Sequence, residues 1–199
     1  MDLKYDKLKF NCFEGEEKMK ILSVMGSPNK KGNTATLVEE YLKGVKEKYN
    51  GVDISSVFLQ EKQIEGCRGC DSCKRGNMRR CIIKDNMNEL IELVISSDVI
   101  VLSTPIYWWN MSAQLKTFID RLYVFDNSEW EGKRIVLLTT FGDKDEISSG
   151  AINVINSLKS MTAYLGIEFV HHYGASSGNG PVSEDKKALE ETYKLGMNL

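Results

Sequence analysis

No run in this 199-residue sequence approaches the roughly eighteen consecutive apolar residues of a membrane-spanning helix, so no membrane partner is expected. Neither sign of charge is in excess. Lysine and arginine number 26 against 28 aspartates and glutamates, a formal charge of -2, which offers no general attraction to nucleic acid or anionic lipid. The first eighteen residues, MDLKYDKLKFNCFEGEEK, lack the apolar core and small-residue cleavage site of a secretory signal, and a cytoplasmic protein is expected. The Walker pattern G-x4-G-K-[ST] and the dinucleotide fingerprint G-x-G-x-x-G are both missing. So are a nucleophile elbow, paired catalytic carboxylates, internal repeats and low-complexity tracts, which removes hydrolysis from the expected chemistry.

What is present is a regular alternation that starts at Met19. KILSVMG (20–26) is a short apolar run, and VDISSVFLQ (52–60), DVIVLSTP (98–105), KRIVLLTTFG (133–142) and GIEFVHHYG (166–174) repeat its character. Between them apolar residues recur at helical spacing over 33–48, over 87–95, around Leu115 to Leu122, over 147–165 and over 183–196. Strands too continuously apolar for a sheet wetted on one face imply a parallel sheet covered on both sides. The expected fold is therefore a doubly wound α/β domain of five parallel strands over residues 19–199, with residues 1–18 as an N-terminal extension. In such folds ligands sit beyond the carboxyl ends of the strands, where strand order reverses.

The loop after the first strand, GSPNKKGNT (26–34), is rich in small and hydroxyl residues and runs into a helix whose positive dipole end faces the loop. That composition suits an anion, most simply a phosphate monoester; an ordinary turn capped by Asn33 or Thr34 is the plainer alternative. After the third strand comes TPIYWWNMSAQLKTFIDR (104–121), in which Tyr107, Trp108 and Trp109 stand in a row that no single buried element can accommodate, so two or more rings should be partly exposed. The two loops should adjoin. A flat aromatic ligand with a phosphate tail fits them together, and flavin mononucleotide has that shape. An exposed aromatic patch can equally be an oligomer contact, for which Trp109 is the candidate.

Four of the five cysteines, Cys67, Cys70, Cys73 and Cys81, fall within a loop at 66–85 as C-x2-C-x2-C-x7-C. The first three have the spacing of a cubane-binding run, with Cys81 as the fourth ligand. Six basic residues (Arg68, Lys74, Arg75, Arg79, Arg80, Lys84) against Asp71 and Asp85 make the loop suited to thiolates or to an anionic reductant. A [4Fe-4S] cluster, structural zinc and reactive thiols all remain open on these residues. Cys12 lies outside the array. His171 and His172 read as ordinary strand-end residues ahead of a proton donor, and Asp120 with Arg121 as a structural pair or cap.

GSPNKKGNTATL followed by TPIYWWNMSAQLKTFIDR resembles the flavodoxin-like NAD(P)H-dependent FMN reductases, and the cysteine array between them is similar to that of the iron-sulfur flavoproteins in that group. The resemblance implies a flavodoxin-like five-stranded parallel sheet in the order 2-1-3-4-5, and FMN, its phosphate held around Ser27, Asn29, Gly32, Asn33 and Thr34. The ring would lie by Pro105, Ile106, Tyr107, Trp108 and Asn110, with Gly142 and Asp143 along its border. It implies a cluster on Cys67, Cys70, Cys73 and Cys81 and a homodimer or homotetramer, with NAD(P)H or a ferredoxin left open as the donor. The leading expectation is an FMN-dependent oxidoreductase that couples two-electron to one-electron partners. A cluster-free reductase of quinones, nitroaromatics or azo compounds, and a non-enzymatic flavodoxin-like carrier or redox sensor, are the alternatives.

Overall fold

A computed structural model describes residues 18–75 and 80–199. The expected extension and Cys12 lie outside them, apart from Lys18. The chain runs β1 (Lys20–Met25), α1 (Asn33–Lys48), β2 (Asp53–Phe58), α2 (Met87–Ile95), β3 (Val99–Tyr107), β4 (Asn110–Met111), α3 (Ala113–Arg121), α4 (Asn127–Trp130), β5 (Arg134–Phe141), α5 (Ala151–Leu165), β6 (Glu168–Ser176) and α6 (Lys186–Gly196). Five parallel strands take the order β2-β1-β3-β5-β6, the expected reversal at β1 and β3. The sixth strand, β4, pairs antiparallel with the end of β3 and was not expected from the sequence.

Alternation along each strand explains why both faces are covered. Leu22, Val24, Ile100, Leu102, Ile135 and Leu137 point to one side, where α2, α3 and α5 cover them. Ile21, Val99, Val101, Val136 and Leu138 point to the other, under α1 and α6. On that second face α1 and α6 touch backbone to backbone. A Cβ at Gly44 would lie 2.1 Å from the Tyr193 carbonyl oxygen, and one at Gly196 2.1 Å from that of Tyr41.

Three local expectations are corrected. The periodic pattern from Ile147 does not begin a helix there. Asp145 Oδ1 accepts from the amides of Ile147 and Ser148, and Gly150 turns left-handed at φ 81°, so α5 starts at Ala151. The final helix starts at Lys186, after Asp185, whose side chain accepts from the Ala188 amide at 3.0 Å. Asp120 and Arg121 are not a pair: Asp120 takes Lys116 one turn back, while Arg121 is buried against Asp85 at 2.7 Å.

Candidate functional site

The loop from Gly26 to Thr34 is fixed by hydrogen bonds to four parts of the fold. The Gly26 amide donates to the Ser103 carbonyl at 2.8 Å, and Ser112 Oγ donates to the Gly26 carbonyl at 2.7 Å. Thr34 Oγ1 meets Thr140 Oγ1 at 2.7 Å, and Asn33 Oδ1 accepts from the Val182 amide at 3.0 Å. Within the loop, Ser27 Oγ accepts from the Asn29 amide and Asn29 Oδ1 from the Lys31 amide. Asn33 is therefore committed elsewhere and does not cap α1, whose N-cap is Gly32. No side chain caps that end and no acidic residue occupies its first turn, so the helix presents amides and a positive dipole end to the space beside it.

That space is a cleft of about 370 Å³ at the carboxyl ends of β1, β3 and β5. Ser27, Asn29, Gly32, Asn33, Thr34, Pro105, Ile106, Tyr107 and Gly142 line it, so nine of the residues selected from sequence come together. Trp108, Asn110 and Asp143 do not line it. Thr140, Phe141 and Ser177 do, and were missed. The signal for Thr140 and Phe141 was their place at the carboxyl end of a predicted strand; Ser177 lay in the GASSGNG loop that no reading used. The lining carries no charged side chain, so an anion there would be met by amides and hydroxyls alone. A Cβ at Gly142 would meet nothing within 4 Å, which leaves the border of the cleft open.

Trp108 and Trp109 form the two-residue turn between β3 and β4, with φ of 46° and 58°. Positive φ at both central positions marks a type I′ hairpin, which favours Asn-Gly; each tryptophan held there costs about 1–2 kcal/mol. The cost is borne by packing against the start of α5. Trp109 Nε1 donates to the Ser148 carbonyl at 3.1 Å, and Asn153 Nδ2 to the Trp109 carbonyl at 3.0 Å. The two rings stack, with centroids 5.7 Å apart. All three aromatics are exposed, where two or more were expected to be, Trp108 most of all at 89%; Ile147, next in sequence to the Ser148 that Trp109 bonds, is also in solvent.

The cysteine loop leaves the sheet after β2, on the same edge as the cleft. Cys67 and Cys70 are exposed, Cys73 and Cys81 half-buried. The Ser72 hydroxyl pulls the Cys70 thiol below its ordinary range, while burial pushes the Cys73 thiol up. Lys74 ties the loop to the turn after α3, donating to the Phe125 carbonyl at 2.6 Å and to Asp126 Oδ1 at 2.7 Å. Four thiols in one loop are the donor set of a cubane or of tetrahedral zinc. Among the described residues, however, no three Cys, His, Asp or Glu side chains converge tightly enough to hold an ion. The donor chemistry fits; the sulfurs are not drawn together. His171 and His172 lie apart from the cleft lining: His171 Nε2 meets the Tyr41 hydroxyl at 3.1 Å, and His172 stands 3.5 Å from Glu146.

Comparison with known proteins adds three findings. A family model described as NADPH-dependent FMN reductase matches residues 19–180. An iron-sulfur flavoprotein of Archaeoglobus fulgidus is 33% identical over 181 residues, covering 89% of this chain and 79% of its own length. A second, from Methanosarcina thermophila, is 26% identical over 91% of this chain and 93% of its own. Among solved structures, an FMN-dependent NADH-azoreductase from Bacillus anthracis in complex with FMN superposes with a TM-score of 0.68 at 17% identity, over 90% of this chain and 96% of that one. At that identity the likeness speaks for the fold alone. Among the described residues no helix is long and apolar enough to cross a membrane.

Proposed function

The chain belongs to the NADPH-dependent FMN reductase family and to its iron-sulfur flavoprotein subgroup, and is an FMN oxidoreductase; from that premise we propose where it holds its cofactors and what each part of the site does. The observation that carries the proposal is the uncharged cleft that joins the 26–34 loop, the end of β3 and the end of β5.

In this reading Ser27, Asn29, Gly32, Asn33 and Thr34 hold the phosphate of FMN, with the exposed amides of α1 supplying the charge complement. Pro105, Ile106 and Tyr107 carry one edge of the ring, with Trp108 and Asn110 on the hairpin beyond it. Gly142 and Asp143 would border the ring, and the open space beside Gly142 would admit a second substrate. When bound, FMN supplies a two-electron acceptor for hydride from NAD(P)H and a source of single electrons. The chain positions the ring, offers backbone amides to its polar edge, and limits water with the aromatic hairpin.

Cys67, Cys70, Cys73 and Cys81 are the residues that would hold a [4Fe-4S] cluster, a one-electron centre, with the basic loop offsetting its negative charge. The separated sulfurs favour one second reading, a cluster-free reductase with reactive thiols. The exposed Trp108, Trp109 and Ile147 patch is the proposed contact with a second copy of the chain.

The deciding experiment is an absorption spectrum of protein purified without oxygen, with FMN, iron, zinc and acid-labile sulfide measured on the same sample and NADPH and NADH oxidation followed. Flavin bands on a broad shoulder, with about four irons and four sulfides per chain, are expected. Failure to take up FMN overturns the cleft assignment. Flavin alone, with a Cys70→Ser variant that transfers electrons to a one-electron acceptor as wild type does, would establish the second reading.

A further inference from the structure

The 66–85 loop has a built base. The Gln63 amide donates to Asn86 Oδ1 at 2.8 Å, the Asn86 amide returns to the Gln63 carbonyl, and the Glu65 amide donates to Asp85 Oδ2 at 2.9 Å. One side chain from elsewhere locks this base. Arg121, at the end of α3, donates from Nη1 to the Glu65 carbonyl and to Asp85 Oδ2, both at 2.7 Å, and from Nη2 to Asp85 Oδ1 at 3.0 Å. It grips the residue before the loop and the residue that ends it.

The guanidinium is spent incompletely. Its side chain is 1% exposed, yet Nε meets no acceptor, which leaves a buried N–H without a partner. Such an orphan is costly and uncommon. The Cys81 side chain is the sulfur beside this guanidinium. A thiol accepts a hydrogen bond poorly, whereas a metal-bound thiolate accepts one well.

Building on the reading of this loop as a cluster site, we propose that Arg121 is its positioning residue. The fork of the guanidinium closes the loop on Asp85 and Glu65, and Nε–H is kept for the sulfur of Cys81 once the loop is loaded. Closing the loop in advance lowers the entropy lost when four sulfurs gather on one centre, and the hydrogen bond to sulfur favours the reduced state. A lysine at 121 keeps the charge, but its compact ammonium lacks the planar fork that spans both Asp85 oxygens and the Glu65 carbonyl while holding a further N–H towards Cys81.

The test compares wild type with Arg121→Lys, with the near-isosteric Asp85→Asn, and with Lys116→Met, which breaks the exposed Lys116–Asp120 pair on the same helix. All are loaded anaerobically with iron and sulfide. Iron loss to a chelator and the reduction midpoint are followed, with FMN content as the measure of folding. Metal-free chains are also digested with trypsin, read at Arg68 and Arg75. Arg121→Lys and Asp85→Asn should bind FMN fully and lose iron about tenfold faster, the usual cost of removing a group that orients a metal ligand. Arg121→Lys should also have a lower midpoint, and both metal-free loops should be cut faster; Lys116→Met should match wild type.

Unchanged iron retention in both loop variants overturns the proposal. Faster loss at an unchanged midpoint overturns the assignment of Nε to sulfur. If wild type takes up no iron, the cluster reading itself fails. The digestion then decides the clamp alone, and equal cutting of variants and wild type overturns it. Should Arg121→Lys not fold, Asp85→Asn carries the same comparison.

Discussion

Gly150 leaves Trp109 the space that a side chain would take: a Cβ at residue 150 would stand 2.5 Å from both Cα and Cβ of the tryptophan. The same glycine sits at φ 81°, so an alanine there is opposed twice, by its own backbone and by that of the hairpin. Gly150→Ala should destabilise the fold by about 2–3 kcal/mol and weaken FMN binding, because the hairpin must move for the methyl to fit. Thermal unfolding with a flavin titration checks this; a variant that melts with wild type would show that the hairpin yields freely.

The Trp108–Trp109 turn holds strain in exchange for ring position. Trp108 is almost wholly exposed, so Trp108→Asn forfeits only its stacking on Trp109 and gains a residue suited to positive φ. The variant should be as stable as wild type or more stable by about 1 kcal/mol, while turning over more slowly with NAD(P)H and flat acceptors. Denaturant melts beside steady-state rates read both arms; lowered stability would mean the ring is structural.

Thr34 and Thr140 join the start of α1 to β5 across 106 residues of sequence. Thr34→Val keeps the shape and strands the buried Thr140 hydroxyl, at a cost of about 1–3 kcal/mol. FMN affinity should fall with stability if the 26–34 loop holds the phosphate as proposed, since that loop loses its tie to the sheet. Urea unfolding and fluorescence titration of FMN test the pair, and intact affinity in a destabilised variant would separate the tie from the binding role.

His171 supplies a pH dependence with a definite sign. Burial, then the neighbouring His172, holds its imidazolium below the ordinary histidine range, so the fold favours the neutral ring on Tyr41. The unfolded chain binds the proton more readily, and stability therefore declines as pH falls through about 6.5, the unfolded value, until the lower folded value is passed. His171→Phe should flatten that part of the profile. Urea melts from pH 8 to 5, spaced across the ordinary range, should show the two proteins converging on the acid side.

The sheet was legible because parity in the strands is a local property: Ile21 and Leu22, or Val136 and Leu137, declare two covered faces without knowledge of what covers them. The expected run at 98–105 stops at its proline, two residues short of the strand's end, for a reason visible in the ladder. β1 pairs β3 only as far as Ser103, so a proline two residues on sacrifices no bond to that neighbour, and β3 continues to Tyr107. β4, two residues long, leaves no period to read. In the site, residue types drew attention to the 26–34 loop that lines the cleft and to the four thiols, but long-range pairings did not announce themselves. Thr140 beneath Thr34, and Arg121 beneath a loop 36 residues before it, depend on how helices settle on the sheet.

Helix α3 touches both halves of the site. Ser112, at its start, hydrogen-bonds the Gly26 carbonyl; Arg121, at its end, grips the cysteine loop. Nine residues at about 1.5 Å each make a rod of roughly 13 Å between those two attachments. The rod works as a ruler cut by the length of one helix. Adding or removing a residue within it would shift the cleft relative to the cysteine loop and rotate one against the other by about 100°, so the placement of the four thiols against the cleft is written in the register of a single helix.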